Sequence, residues 1–170
     1  MMALLTAVEA GGQGALMAPT EILARQHAAG LSAMAEAAGA RLLILTGRDK
    51  GAQRAEKLAA IADGTAGIVV GTHALLQEDV TFRDLRLVVI DEQHRFGVRQ
   101  RLELTDKAPR GADVLVMTAT PIPRTLALAN FGDLDISVLD EKPPGRQPVD
   151  TRLVSMERYE EVVARLAHAI

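Results

Sequence analysis

Short apolar runs alternate with longer helical stretches along most of the chain. The runs are continuous in Leu, Ile, Val and Ala, which is typical of parallel strands covered on both faces. They predict strands at Gly14–Ala18, Arg41–Thr46, Gly67–Gly71, Leu87–Asp91, Asp113–Thr118 and Ile136–Leu139. Helices are predicted at Met1–Ala10, Glu21–Ala38, Lys50–Ala62 and Pro123–Asn130, with a turn near Val98–Leu104. This repetition predicts an α/β fold, an open and mostly parallel sheet with helices on both faces.

A proline-rich segment divides the chain near its C-terminal end. Residues 141–148 hold three prolines and a glycine, and such a segment ends a packed domain and acts as an extended linker. We therefore predict a lobe over residues 1–142, a linker over 143–150 and the start of a second lobe over 151–170. A strand at Thr151–Ser155 and an amphipathic helix at Met156–Ile170 are too short to bury a core, so we expect the chain to be a piece of a longer protein.

Composition narrows the class of protein. The chain has 170 residues, of which 48% are hydrophobic and 24% charged, and this excludes a disordered tail. It has no cysteine, which excludes a disulfide framework and a thiolate metal site. We recognise no membrane span and no signal peptide, so we expect a cytoplasmic protein. With a net charge of −3 and 2% aromatic residues, it would hold a nucleic acid by the backbone rather than by base stacking.

Two adjacent carboxylates follow the fourth predicted strand, at the edge where parallel sheets bind ligands. The first, Asp91, can hold Mg²⁺ through its waters, and the second, Glu92, can orient or deprotonate an attacking water. On spacing alone, the same pair equally fits a strand that ends in solvent. No second histidine stands at metal-ligand spacing from His94, so the sequence does not indicate a zinc site.

The other strand ends carry small polar residues that have two interpretations. Pro19-Thr20-Glu21 predicts a helix start with Thr20 as the N-cap, and the free N–H groups of that first turn can also grip a phosphate. Gly71-Thr72-His73 has the same two interpretations. Thr118-Ala119-Thr120 can end a strand and cap the helix that follows it.

Four motifs, in this order and spacing, resemble motifs Ia, Ib/Ic, II and III of superfamily 2 helicases. They are Ala18-Pro19-Thr20-Glu21, Gly71-Thr72, Asp91-Glu92-Gln93-His94 and Thr118-Ala119-Thr120-Pro121. The longer strings at 91–98 and 118–125 resemble the RecG family and the transcription-repair coupling factor. The strings at 132–135 and 143–146 resemble the RecG family in particular. The resemblance covers essentially the whole chain and implies a truncated RecA-like helicase lobe 1 followed by the start of a second lobe.

The resemblance implies that the intact protein is an ATP-dependent DNA helicase, using ATP and Mg²⁺. It would remodel branched DNA, such as replication forks and Holliday junctions, in repair and recombination. Asp91 would coordinate Mg²⁺ and Glu92 would polarise the hydrolytic water. Four further residues would couple the nucleotide site to DNA movement: Gln93, His94, Thr118 and Thr120. The DNA backbone would run along Pro19, Thr20, Gly71, Thr72 and His73.

One motif of these helicases is absent from the chain. A Gly-x-x-x-x-Gly-Lys-Ser/Thr loop, which would cradle the phosphates, does not occur. We therefore expect the chain by itself to lack ATPase activity and to hold no cofactor firmly. We also expect the missing strand to leave a gap, an exposed edge or a rearranged strand order. An unprotected edge favours self-association.

Three other functions stay open at this stage. A transcription-repair coupling motor would use the same chemistry, but the strings at 132–135 and 143–146 count against it. A non-enzymatic phosphoacceptor signalling module would use Asp91 as acceptor, but it needs an acidic pair at an early strand end, and the first strand exits at Ala18-Pro19-Thr20. A Mg²⁺-dependent phosphohydrolase that uses Asp91 and Glu92 alone needs a nucleophile or a phosphate cradle that the sequence does not show.

Overall fold

The computed structural model describes residues 1–92, 103–108, 111–120, 135–141, 145, 149, 151 and 153–169. The chain divides into two units, Met1–Ile122 and Pro123–Ile170. Gln93, His94 and the helix predicted at Pro123–Asn130 lie outside the described residues, as does most of the turn predicted near Val98–Leu104. The lobe and linker boundaries at residues 142 and 150 stay predictions.

A parallel sheet forms the centre of the first unit. Its strands within the described residues are β1 (Gln13–Met17), β2 (Leu42–Leu45), β3 (Ile68–Gly71), β4 (Leu85–Ile90) and β5 (Asp113–Val116). All neighbouring strands pair in parallel, in the order β2-β3-β1-β4-β5. The predicted parallel sheet is therefore confirmed, and the fully buried β1 lies at its middle. At one edge lies β5, where Val114 and Leu115 are 38% and 42% exposed.

Helices cover both faces of this sheet, as predicted. On one face lie α1 (Met2–Glu9) and α2 (Glu21–Ala37), whose buried residues pack with Leu16, Ile68, Val70, Leu87 and Val89. On the other face, Ala60 and Ile61 of α3 (Gly51–Ala62) pack with Met17, Leu45, Val69, Val88 and Ile90. The side chains of successive residues in one strand pack into the cores on opposite faces of the sheet, because side chains alternate across a strand. This alternation is why continuous apolar runs were needed to build both cores.

The packing of α1 on the sheet depends on a glycine. A Cβ atom at Gly14 of β1 would lie only 2.6 Å from the Cδ2 atom of Leu4. Leu4 is 1% exposed and stands in the first turns of α1, so a larger residue at position 14 would displace the buried Leu4 side chain. The absence of a side chain at Gly14 therefore leaves the space that Leu4 of α1 fills against the sheet.

Two predicted strands are wrong. Residues 135–140 have no regular secondary structure, and Val138 and Leu139 are 77% and 97% exposed. The described residues of the strand predicted at Thr151–Ser155 are not in a strand either. An apolar run forms a strand only where a neighbouring strand accepts its backbone hydrogen bonds. Within the described residues, neither segment has such a neighbour.

The second unit contains the predicted C-terminal helix. It begins with a 3₁₀ turn at Met156–Arg158 and continues as α4 (Tyr159–Ala169). The Ser155 hydroxyl accepts a hydrogen bond from the Glu157 N–H at 3.4 Å, and Arg158 contacts Glu161 at 2.7 Å. Among the helices that the structure describes, none combines the length and the apolar character needed to cross a membrane.

Candidate functional site

The carboxyl ends of the five strands meet along one side of the sheet, which we call the carboxyl edge. The register pairs Met17 of β1 with Gly71 of β3 and with Ile90 of β4. Ile90 in turn pairs with Val116 of β5. The residues that follow these strands are therefore neighbours, as expected for a parallel sheet. Thr20, Thr72, Asp91 and Thr118 all stand within a few positions of a strand end at this edge.

Asp91 is held from three directions. Its N–H donates to the carbonyl of Met17 at 3.0 Å, which extends the ladder between β4 and β1 by one bond. Its Oδ1 accepts the N–H of Glu92 at 2.9 Å, and its Oδ2 lies 2.6 Å from Nε2 of His27 on α2. The side chain is still 19% exposed. The carboxylate is thus fixed in position while remaining open to the carboxyl edge.

Glu92 has a backbone conformation that glycine usually occupies. Its φ is +50°, and among the described residues it is the one non-glycine residue with a positive φ. A left-handed backbone at such a residue costs about 1–3 kcal/mol and is characteristic of functional sites. The conformation turns the chain sharply after β4, so Asp91 and Glu92 do not alternate as they would in a continuing strand.

The first predicted DNA-contact motif caps α2. Thr20 has extended backbone angles, and its Oγ1 accepts the Leu23 N–H at 3.3 Å. The capping interpretation is therefore confirmed, and Thr20 stays exposed beside the half-buried Pro19. Glu21 in the same turn contacts Arg25 at 2.8 Å and Arg48, from the loop after β2, at 3.1 Å. Two arginines therefore stand close to the N-terminus of α2.

The second predicted DNA-contact motif is largely buried. A Cβ atom at Gly71 would lie 2.4 Å from the carbonyl oxygen of Leu45, so packing against β2 alone requires glycine there. Thr72 is 4% exposed, and its hydroxyl accepts the Ala74 N–H at 3.5 Å to cap the turn at His73–Leu76. His73 is exposed. Gly71 and Thr72 can therefore present only backbone groups to a ligand.

Thr118 and Thr120 contact each other beyond the end of β5. Their Oγ1 atoms are 3.0 Å apart, and the Thr120 N–H donates to Thr118 Oγ1 at 3.2 Å. The Met117 N–H donates to the carbonyl of Ile90 at 2.8 Å, which places the segment beside Asp91. The helix that these threonines were predicted to cap lies outside the described residues.

Sequence reasoning missed His27. It was assigned only to the helix over Glu21–Ala38, yet its imidazole reaches Asp91, which lies 64 positions further along the chain. The spacing of apolar residues in α2 could have shown that His27 faces the sheet, because the inward-facing positions include Ala24, Ala28 and Leu31. A titratable residue at position 27 falls on that apolar stripe. Such a residue needs a polar partner on the sheet.

Asp49 closes the loop after β2 and was also missed. Its Oδ2 accepts the Thr46 N–H at 2.7 Å, and its Oδ1 lies 2.6 Å from Nζ of Lys57 on α3. Burial alone would raise the pKa of Asp49, but the hydrogen bonds from Lys57 and Thr46 outweigh it. They hold the pKa of the carboxyl below its ordinary value of 3.8. The ionised form therefore stabilises this part of the edge.

We expect Asp49→Asn to lower the free energy of unfolding by about 1–3 kcal/mol at pH 7, since hydrogen bonds to a charged group are lost. The folded pKa lies below the unfolded one, so this stability is present above pH 3.8 and disappears as the pH falls through the lowered folded pKa. Urea unfolding at pH 7, 5 and 3 measures the difference. Asp106→Asn, at an exposed position, is the control. If the difference in free energy of unfolding between Asp49→Asn and wild type is the same at pH 3 as at pH 7, the stabilising role of the ionised Asp49 is contradicted.

Shallow clefts on the described part of the chain include one between Asp84, Arg86 and Asp113, near the opposite ends of β4 and β5, and one along β2 and α3. Among the described residues, no group of three or more His, Cys, Asp or Glu side chains could hold a metal ion.

Comparison with known proteins gives consistent matches. The family model for the DEAD/DEAH box helicase matches residues 1–129. The chain is 52% identical to the ATP-dependent DNA helicase RecG of Pasteurella multocida, over 99% of this chain and 25% of that protein. It is 50% identical to RecG of Bacillus subtilis, over 96% of this chain and 24% of that protein. The chain thus spans about a quarter of the length of the curated relatives it matches.

The fold matches a solved structure as well. A structure of RecG bound to a three-way DNA junction superimposes with a TM-score of 0.73 at 44% identity. The match covers 97% of this chain and 22% of that one.

Proposed function

Because the chain belongs to the DEAD/DEAH box helicase family, we propose that it forms part of the ATP-driven motor of a RecG-type helicase that acts on branched DNA. The relatives from Pasteurella multocida and Bacillus subtilis are ATP-dependent DNA helicases, and a similar structure holds a three-way DNA junction, so we extend these properties to the whole protein that contains this chain. Its substrate would be chromosomal DNA, so we place its action in the cytoplasm. Self-association, which the sequence analysis expected from an unprotected sheet edge, stays a prediction.

The placement of Asp91 and Glu92 is the observation that carries this proposal. The two acids leave the sheet side by side at the carboxyl edge, next to the ends of β1 and β5. Asp91 fits Mg²⁺, because this ion takes oxygen ligands and commonly one or two carboxylates together with waters and phosphates. Mg²⁺ bound there would neutralise charge on the phosphates of ATP. The constrained and partly exposed carboxylate suits such a role.

Glu92 is the proposed general base for ATP hydrolysis. It would orient a water molecule toward the γ-phosphate and accept its proton as the water oxygen bonds to phosphorus and ADP leaves. Its left-handed backbone turns the chain after β4, so Glu92 leaves the sheet beside Asp91 instead of continuing the strand. Gln93, His94, Thr118 and Thr120 are the proposed coupling residues.

The N-terminus of α2 is the proposed DNA-backbone contact. Exposed Thr20 and the N–H groups of the first helical turn can bind a phosphate there, and Arg25 and Arg48 stand close by. Pro19 and exposed His73 would line the same path. Since Gly71 and Thr72 are buried, we propose that they act through backbone N–H groups only.

The test is ATP hydrolysis by the full-length protein that contains this chain. We expect turnover to rise at least about tenfold with a three-way DNA junction, more than with linear duplex of equal length, because binding DNA assembles the catalytic groups. The chain alone, which lacks the phosphate-cradling loop, should show no turnover. Failure of any DNA to stimulate turnover would contradict the proposal. Stable labelling of Asp91 by acetyl phosphate would instead indicate a phosphoacceptor module.

A further inference from the structure

His27 joins the helix at the proposed DNA contact to the proposed nucleotide site. Its Nε2 lies 2.6 Å from Asp91 Oδ2, and the two side chains are 30% and 19% exposed. A carboxylate oxygen can only accept, so Nε2 donates in this bond. The distance is at the short end for a nitrogen–oxygen hydrogen bond, as is usual where one partner is ionised.

The same stretch of chain reaches Asp91 twice. Met17 accepts the Asp91 N–H at 3.0 Å, and three residues later Thr20 caps α2. His27 follows seven residues after Thr20, about two turns or roughly 10 Å along the helix. Asp91 is therefore connected to the segment both before and after the proposed phosphate contact. His27 and the proposed phosphate contact therefore belong to one continuous helix of 17 residues.

The Asp91 carboxylate is restrained at both oxygens. The Glu92 N–H donates to Oδ1, and His27 donates to Oδ2. Each carboxylate oxygen keeps a further lone pair for another ligand. Residues that hydrogen-bond to a metal-binding carboxylate orient it, and their loss commonly reduces metal affinity or activity by about 10–100-fold. Of the two donors, only the imidazole belongs to another element of the fold.

We propose that His27 is a positioning residue: it sets the orientation of the Asp91 carboxylate and makes that orientation depend on α2. A phosphate of DNA held at the α2 N-terminus would then affect ATP turnover through His27. The inference rests on the proposed function, since it assigns a role toward the nucleotide and DNA sites named there. It adds a residue that lies outside the motifs that the sequence indicated.

The test compares variants of the full-length protein. His27→Leu keeps an apolar side chain of similar size but has no N–H, and His27→Gln carries an amide N–H that can replace Nε2. Gln26→Leu, at the neighbouring exposed position of α2, is the matched control. The measurements are the basal and the DNA-stimulated kcat, the KM for ATP, and the Kd of Mn²⁺ in the presence of ADP, the last by electron paramagnetic resonance.

We expect His27→Leu to raise the Kd of Mn²⁺ about tenfold or more and to lower the stimulated kcat by a similar factor, with a smaller change in KM for ATP. The ratio of stimulated to basal kcat should fall as well. His27→Gln should restore most of each loss, and Gln26→Leu should match wild type. A purely structural contact would not separate the leucine variant from the glutamine variant.

Wild-type Mn²⁺ affinity and wild-type stimulation in His27→Leu would overturn the inference, as would equal losses in His27→Gln. Unfolding temperatures are measured throughout, and His27→Ala replaces His27→Leu if the latter unfolds early. Early unfolding of both would show a structural role and would also overturn the inference.

A substitution of Asp91 separates failure of this inference from failure of the proposed function. Loss of turnover in Asp91→Asn, together with wild-type behaviour of His27→Leu, would leave the proposed function standing. Wild-type turnover in Asp91→Asn would overturn the proposed function itself.

Discussion

Glu92→Gln in the full-length protein should reduce the kcat for ATP hydrolysis by about 100- to 10,000-fold, the usual contribution of a general base. Glutamine keeps the size of the side chain and its ability to hold a water molecule, but it cannot accept the proton. Because both residues are equally unfavourable at a φ of +50°, the exchange leaves the backbone strain unchanged. Phosphate release at saturating ATP, with and without branched DNA, measures the effect.

The same variant should still bind ATP and DNA. These affinities are measured separately, by fluorescence anisotropy with labelled DNA and labelled nucleotide. Glu78→Gln, at an exposed position, is the control and should hydrolyse ATP as wild type does. Retention of more than about a tenth of the wild-type kcat would contradict the role of Glu92 as general base.

Gln13→Leu should be among the most destabilising single substitutions in the first unit. Gln13 begins β1 and is 2% exposed. Its Nε2 donates to the carbonyls of Ile61 at 2.9 Å and Ala66 at 2.8 Å. Its Oε1 accepts the N–H groups of Arg83 at 2.9 Å and Asp84 at 3.1 Å. One side chain thus joins the end of α3, the segment before β3 and the segment before β4.

Leucine fills a similar volume but leaves those four backbone groups without this partner. At about 1 kcal/mol for each lost hydrogen bond, and more where a group is left unsatisfied in the interior, the local stability should fall by about 4 kcal/mol. Native-state hydrogen exchange of the full-length protein measures this directly, since exchange through local opening should become about a thousandfold faster. The peptides to follow are those that contain Ala66, Arg83 and Asp84.

The control for this experiment is Gln53→Leu on the exposed side of α3. It changes the same residue type without touching the contacts of Gln13, so exchange of the same peptides should match wild type. Less than a tenfold acceleration in Gln13→Leu would show that water replaces the lost partners, and it would contradict the importance of the buried side chain.

Much of the fold followed from local chemistry. Runs such as Leu42–Leu45 and Ile68–Gly71 contain too many apolar residues for a strand with one wet face, so they indicated a sheet covered on both sides. Thr20 was predicted as an N-cap because a threonine hydroxyl can satisfy a free N–H of the first turn. The run at Ile136–Leu139 had a similar composition but no strand to pair with, and it did not form one.

The sequence by itself determined the parallel α/β class, the strand ends that carry Asp91 and Glu92, and the helix starts, because each depends on residues close together in the chain. Only the tertiary structure decided that His27 contacts Asp91 and that Gln13 joins three segments. It also showed that Gly71 and Thr72 are buried. The physical reason is that the strand order brings together residues more than 70 positions apart, and no local sequence pattern reveals that order.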